Sequence, residues 1–104
     1  AYHGRGDYDL AIADYSAVIR LDDKNALAYH SRGNSYHDSK DYDRAIADYS
    51  EAIRLEPKDA TRYAARAGSY GDKKDFDRAL KDANEAVRLD PKLADAYFRR
   101  GYIY

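Results

Sequence analysis

The sequence contains no cysteine, no tryptophan and no methionine, and only two prolines among its 104 residues. Without cysteine the chain can form neither a disulfide nor a thiolate metal site. No apolar run approaches the length of a membrane span or of the hydrophobic part of a signal peptide. Lysine and arginine (18) almost balance aspartate and glutamate (19), so the net charge is only −1. That balance argues against a nucleic-acid or membrane-surface binder, which needs an excess of basic residues on one face.

Tyrosine is the residue that the sequence has in excess. The chain holds 12 Tyr and two Phe, and these supply all of its large aromatic rings. A tyrosine has an apolar ring and a polar end, so much of the apolar surface can lie at the boundary between core and water.

The sequence repeats itself with a period of 34 residues. Residues 26–59 align without a gap onto residues 60–93, and 18 of the 34 positions are identical. Residues 1–25 match the later part of the same unit, and residues 94–104 match its first third. Self-similarity at such a period is typical of helical repeat proteins, so we predict a single repeat array over the whole chain. The chain begins at Ala1 rather than Met, from which we expect a piece of a longer protein.

Each unit is predicted to form two helices. Apolar positions such as Tyr63, Ala67 and Tyr70 recur at helical spacing. Pro57 and Pro91 follow the second helix of their units, at a place where a helix cannot easily continue. The six predicted helices cover residues 7–21, 26–38, 41–55, 60–72, 75–89 and 94–104.

Polar residues mark the predicted helix starts, because their side chains can accept hydrogen bonds from the first backbone N–H groups. The segment Gly4-Arg5-Gly6 is interpreted as a chain reversal between two helices. The predicted N-caps are Asn25 and Asp59 for the first helix of a unit, and Asp7, Asp41 and Asp75 for the second.

With these features the chain resembles the tetratricopeptide repeat family, and the resemblance covers all of it. The family pattern has an aromatic at unit position 4, a small residue at 8, Tyr at 11, Ala at 20, an aromatic at 24, Ala at 27 and Pro at 32. The matching residues are Tyr29, Tyr63 and Tyr97 at position 4; Gly33, Ala67 and Gly101 at 8; Tyr2, Tyr36, Tyr70 and Tyr104 at 11; Ala11, Ala45 and Ala79 at 20; Tyr15 and Tyr49 at 24; Ala52 and Ala86 at 27; and Pro57 and Pro91 at 32.

The sequence departs from the family pattern at several of these positions. Tyrosine replaces the usual tryptophan at position 4, and Ala83, Val18 and Asp23 stand at positions 24, 27 and 32. The usual leucine at position 7 is replaced by Arg32, Arg66 and Arg100. The resemblance implies an all-α fold in which antiparallel helix pairs stack into a right-handed superhelical solenoid. It also implies that the first helix of each pair lines the concave side.

No catalytic motif stands out, and we predict neither an enzyme nor a cofactor. The many aspartates recur once per unit, which favours a structural role as caps, first-turn charges or partners of nearby Arg and Lys. Most aromatic residues also fall at the packing positions of the repeat. The recurring aspartates are Asp9, Asp43 and Asp77, and Asp14, Asp48 and Asp82.

One polar stripe does not repeat in every unit. His30, Asn34 and His37 lie at i, i+4 and i+7, so they share one face of a helix. The two histidines are about 10 Å apart along the axis at roughly 1.5 Å per residue, too far to share one metal ion. The family resemblance implies that all three face the concave groove. We therefore interpret the stripe as a surface for a partner or as solvated surface, and predict no metal site.

Two aromatic residues fall outside the packing positions. Phe98 and Tyr102 lie at i and i+4 of the last predicted helix, on the side that faces the groove in the family. Aromatic anchors with a polar surround are typical of binding hot spots. The alternative is that they pack beneath sequence that lies beyond this chain.

Some family members bind the C-terminal carboxylate of heat-shock chaperones through a clamp of five Lys, Asn and Arg side chains. The residues at the clamp positions here are His30, Asn34, Ala65, Asp95 and Arg99. Only Asn34 and Arg99 agree, and Asp95 has the wrong sign for a carboxylate ligand. We predict that the chain does not bind such a chaperone tail.

Three hypotheses of function remain. The first is an interaction module that binds a protein or peptide in the concave groove, as a scaffold or adaptor. The second is self-assembly into homo-oligomers through the C-terminal helix, and the third is an accessory repeat domain of a larger enzyme. The predicted partner-binding residues are Leu27, His30, Asn34, His37, Ala64, Gly68, Phe98, Arg99 and Tyr102.

Overall fold

The structure is a computed structural model that describes residues 5–92 of the chain. This part consists of five α-helices joined by short turns, and it contains no strand. The helices are α1 (Arg5–Leu21), α2 (Ala26–Asp38), α3 (Tyr42–Leu55), α4 (Ala60–Asp72) and α5 (Phe76–Leu89). They form stacked pairs, as predicted, and the sixth predicted helix lies outside the described residues.

Side-chain caps fix four of the five helix starts. Asn25 accepts a hydrogen bond from the backbone N–H of Ala28, and Asp59 accepts one from Thr61. Asp41 and Asp75 each accept one from the residue three positions later, which is an arginine in both cases. Each cap occupies one of the N–H groups that a helix start leaves without an intrahelical partner.

The start of α1 differs from the prediction. The helix begins at Arg5, so Asp7 lies in its first turn rather than at its N-cap. The predicted chain reversal is wrong for Arg5 and Gly6, which are helical, while Gly4 lies outside the described residues. Gly6 has no Cβ, so its backbone can adopt either a turn or a helical conformation. A glycine alone therefore does not determine that the chain reverses at this point.

Each helix packs against the next one along the chain, and α2 also touches α4. The core between them is built from small residues and one large ring. Ala45, Ala52 and Ala86 are completely buried, and Tyr49 is nearly so. Small side chains let the helices approach closely, and larger ones fill the remaining space.

The two full repeats differ in the size of the side chains that meet between their first and second helices. In the first full repeat, Gly33 on α2 faces the Tyr49 ring on α3, and a Cβ at Gly33 would lie 2.8 Å from that ring. The corresponding residues of the next repeat are Ala67 and Ala83. The added methyl group at position 8 is therefore matched by the loss of the ring at position 24.

The arginines that replace the usual leucine form ion pairs with the second helix of their own repeat. Arg32 donates to both carboxylate oxygens of Asp48, at 2.8 Å each. Arg66 repeats the arrangement with Asp82, at 2.6 and 2.8 Å. The predicted role of these aspartates as partners of nearby arginines is confirmed for both pairs.

Candidate functional site

A cleft of about 910 Å³ opens beside α2 and α4 and extends over the face of α5. Its walls are mostly apolar and include many residues with small side chains. The lining residues are His30, Asn34, His37, Tyr49, Thr61, Ala64, Ala65, Ala67, Gly68, Gly71, Asp72, Phe76, Ala79, Leu80 and Ala83.

Five of the nine predicted partner-binding residues line this cleft: His30, Asn34, His37, Ala64 and Gly68. Leu27 is exposed near the start of α2 and is not among the lining residues. The other three predicted residues, Phe98, Arg99 and Tyr102, lie outside the described part of the chain.

Tyr49 forms the floor of the cleft and orients Asn34. Its hydroxyl donates a hydrogen bond to Asn34 Oδ1 at 2.5 Å. Burial, together with the nearby carboxylates of Asp38 and Asp48, raises the pKa of Tyr49 well above its ordinary value, so the hydroxyl stays protonated and remains a donor. Because the carbonyl oxygen of Asn34 is occupied, its amide nitrogen is the group left to face a ligand.

His30 lies half-buried against the same ring, with its centroid 5.4 Å from that of Tyr49. Burial lowers the pKa of His30, and the charge of Arg62 lowers it further, while Asp59 opposes both. The neutral imidazole is thus favoured in the fold. Its Nδ1 atom is buried, and no described residue makes a hydrogen bond to it.

His37 connects α2 to α4. Its Nδ1 atom lies 2.7 Å from the Ser69 hydroxyl, and its Nε2 atom lies 3.1 Å from a carboxylate oxygen of Asp72. A serine, a histidine and an aspartate in one chain of contacts resemble a hydrolytic triad. Ser69 is completely buried, however, so a substrate cannot reach its hydroxyl. The contacts instead hold the two helices that line the cleft.

The α5 wall was not among the sequence-based predictions. Phe76 and Leu80 are 66% and 54% exposed, although both are large and apolar. Ala83 lies on the same wall, at the unit position that Tyr49 fills in the preceding repeat. Because the alanine leaves the space of a ring empty, the cleft extends onto α5. The Tyr-to-Ala difference between the repeats is the sequence signal that could have revealed this.

Among residues 5–92, no group of three His, Cys, Asp or Glu side chains is arranged to hold a metal ion. None of the helices α1 to α5 combines the length and the hydropathy that crossing a membrane requires.

Solved structures with similar folds share about a quarter of the sequence. The first TPR of Spaghetti (RPAP3) bound to the HSP90 peptide SRMEEVD is 26% identical, with a TM-score of 0.79, over 83% of this chain and 68% of that one. The second TPR of Spaghetti, bound to the same peptide, is 27% identical, with a TM-score of 0.77, over 82% and 79%.

A structure of MamA MSR-1 is 26% identical, with a TM-score of 0.78 over 82% of this chain. The present chain spans about half of that protein, 49% of its length. No curated protein sequence matches the chain.

Family models match nearly the whole sequence. Models described as tetratricopeptide repeat match residues 26–59 and 60–93, and one described as TPR repeat matches residues 1–40. Together with the stacked helix pairs, these matches show that the chain belongs to the tetratricopeptide repeat family.

Proposed function

We propose that the chain binds a peptide segment of a partner protein in the cleft beside α2 and α4. The observation that carries the proposal is a wide, mostly apolar cleft on a fold that serves related proteins as a peptide-binding module. The proposed contact residues are the five predicted residues that line the cleft and the predicted Phe98, Arg99 and Tyr102, together with Phe76 and Leu80 on α5. This site belongs to a protein–protein interaction module, and no step of catalysis is assigned to it.

The apolar walls favour a ligand that buries apolar side chains. Ala64, Ala65 and Gly68 line the cleft on α4, and their small side chains let a peptide backbone lie close to the helix. Phe76 and Leu80 expose large side chains at the edge of the same surface. Burying such side chains contributes roughly 25 cal/mol per Å² of apolar area, and large anchors in a pocket dominate many interfaces.

One polar group can fix the orientation of the bound segment. Asn34 lines the cleft, and its amide nitrogen remains available as a donor because its carbonyl oxygen accepts the hydrogen bond of Tyr49. The backbone carbonyl groups of an extended peptide offer acceptors for this donor.

The partner differs in chemistry from the acidic chaperone peptide of the structural relatives. A carboxylate ligand needs positively charged donors. The clamp positions here hold His30, whose neutral form is favoured, and Ala65, which has no donor. We therefore assign the cleft to an apolar segment without a charged C-terminal motif.

A glycine in the cleft wall provides a direct test. A Cβ at Gly68 would meet no atom within 4 Å, so Gly68→Leu can fill the cleft without disturbing the packing. Peptides selected from a random library against the unmodified chain should lose at least about tenfold in affinity for the variant, measured by fluorescence anisotropy. A tenfold loss corresponds to about 1.4 kcal/mol.

Gly6→Leu is the matched control, because Gly6 also has open space around it and lies on α1, away from the cleft. It should bind the selected peptides as the unmodified chain does. Equal affinity of the Gly68 variant and the unmodified chain would contradict the proposed site. Alanine at both Phe98 and Tyr102 tests the two aromatic residues predicted from the sequence, and unchanged affinity would remove them from the proposed site.

A further inference from the structure

The cleft beside α2 and α4 carries a single carboxylate in its wall. Among the described residues that line it, Asp72 is the only aspartate or glutamate, and none is a lysine or an arginine. Asp72 is the last residue of α4, and its side chain is 54% exposed, so a ligand in the cleft can reach it. Mostly apolar walls screen a charge less than water does, and the cleft therefore attracts a positively charged group.

His37 orients the carboxylate of Asp72. The Nε2 atom of His37 lies 3.1 Å from one oxygen of Asp72, and its Nδ1 atom lies 2.7 Å from the Ser69 hydroxyl. A neutral imidazole satisfies both contacts when Nδ1 accepts from the hydroxyl and Nε2 donates to the carboxylate. Within residues 5–92, no lysine or arginine forms an ion pair with Asp72. The carboxylate is thus held in place without a basic side chain to balance its charge.

Two basic side chains of α4 and its C-cap are engaged with other carboxylates. Lys73 follows Asp72 directly in the sequence, but its Nζ atom lies 2.5 Å from Asp43 at the start of α3. Arg62 is buried near the start of α4, and its guanidinium donates to Glu56 at 2.9 Å. These pairs leave the charge of Asp72 for a ligand to balance.

The surroundings of Asp72 suit an arginine side chain. Phe76 lies four residues further along the chain and exposes its ring in the same cleft. The face of an aromatic ring attracts a cation, and a planar guanidinium can stack on it. The same group can donate two parallel N–H bonds to a carboxylate. The apolar stem of an arginine can lie along the small side chains of α4, such as Ala64 and Gly68.

We propose that the segment bound in the cleft carries an arginine between apolar residues, and that its guanidinium pairs with Asp72. The proposal rests on the proposed peptide-binding function and specifies the chemistry of the partner. A segment without a basic residue buries its apolar side chains in the same cleft, but it leaves Asp72 without a counter-charge.

Peptides selected from a random library against the unmodified chain test the proposal. The selected sequences should contain an arginine flanked by apolar residues. Each peptide is then synthesised a second time with citrulline, a neutral analogue of similar shape, in place of that arginine. The citrulline form should bind about fivefold more weakly in fluorescence anisotropy, the upper end for a charge pair that keeps contact with water. Measurements at pH 8 keep histidine side chains ordinarily neutral.

Asp72→Asn should bind the arginine and citrulline peptides equally, because asparagine has no charge but keeps an oxygen that accepts from His37. Asp38→Asn is the matched control. Asp38 is exposed at the same unit position one repeat earlier and is not among the lining residues, so this variant loses the same charge and should keep the fivefold preference.

The possible outcomes separate this proposal from the peptide-binding function on which it rests. Selected peptides without arginine, equal affinities of the two peptide forms for the unmodified chain, or a preference that survives in Asp72→Asn would each overturn the pairing with Asp72. A loss of the preference in Asp38→Asn would do the same. In all four cases, weaker binding to Gly68→Leu would still support the cleft as the peptide site. If no peptide binds the unmodified chain, both proposals fail.

Discussion

At the scale of single residues, Gly33 is the described glycine at which an added Cβ would make the closest contact. A Cβ at this position would lie 2.8 and 2.9 Å from two atoms of the Tyr49 ring, closer than real Cβ contacts. Tyr49 is buried among α2 and α3 and is held by its hydrogen bond to Asn34, so it cannot move away freely. The neighbouring repeat avoids the conflict by carrying alanine at both positions.

We expect Gly33→Ala to destabilise the chain by about 1–3 kcal/mol, the usual cost of overpacking, as measured by urea unfolding. Gly68→Ala is its control on the next first helix. It should be neutral or stabilising by up to about 1 kcal/mol, because its Cβ meets open space and alanine favours helix. In a Tyr49→Ala background the cost of Gly33→Ala should disappear, and a cost that persists there would show that the ring is not its cause.

His30, also at the scale of single residues, makes the stability of the chain depend on pH. Its pKa in the folded chain is lowered below the ordinary value of 6.5, mainly by burial. The unfolded chain therefore binds a proton more readily, and the contribution of His30 to stability is present above pH 6.5 and is lost as pH falls through the folded pKa. The free energy of unfolding should fall less between neutral and mildly acidic pH in His30→Phe than in the unmodified chain, and an equal fall in both would refute this assignment.

At the scale of helices, the sequence predicted four starts correctly because a side-chain cap is a local signal. Asn25, Asp41, Asp59 and Asp75 each act within three residues of their own position. The α1 start was missed because a glycine is compatible with both turn and helix. The sequence predicted that the recurring aspartates pair with nearby basic residues, but it did not identify Arg32 and Arg66 as the partners. These ion pairs join residues 16 positions apart and depend on how the helices pack.

The caps carry a measurable share of the stability of each helix. Asp75→Ala removes the acceptor for the Arg78 N–H at the start of α5, and should destabilise the chain by about 1 kcal/mol in thermal or urea unfolding. Asp77→Ala removes the same charge from the first turn of α5 without removing a cap, and should cost less, a few tenths of a kcal/mol. Equal costs for the two variants would assign the effect to charge alone.

At the scale of the whole molecule, the stacked helix pairs could be predicted from the 34-residue periodicity, because each unit shows the same pattern. The residues that line the cleft could be predicted only in part. The stripe of His30, Asn34 and His37 was predicted because the three residues share one helix face and the next unit does not repeat them. The α5 wall was not predicted, because large apolar residues such as Phe76 and Leu80 are usually buried. Only the structure shows that both are exposed.

The chain and its structural relatives should differ in what they bind, although their folds agree closely. Two relatives are bound to the HSP90 peptide SRMEEVD. In this chain a half-buried histidine whose neutral form is favoured and an alanine occupy clamp positions, and the exposed carboxylate of Asp72 also lines the cleft. An acidic peptide would lose its hydration there and gain little positive charge in return.

Isothermal titration of the chain with SRMEEVD should therefore show no submicromolar binding, and the signal that remains should be weak and suppressed by salt. A peptide of the same length with the acidic residues replaced by leucine and alanine should bind at least as well, because the cleft walls are apolar. Reintroducing donors with His30→Lys and Ala65→Asn should raise the affinity for the acidic peptide. Tight binding of SRMEEVD to the unmodified chain would mean that the fold, rather than the residues at the clamp positions, decides which peptide is bound.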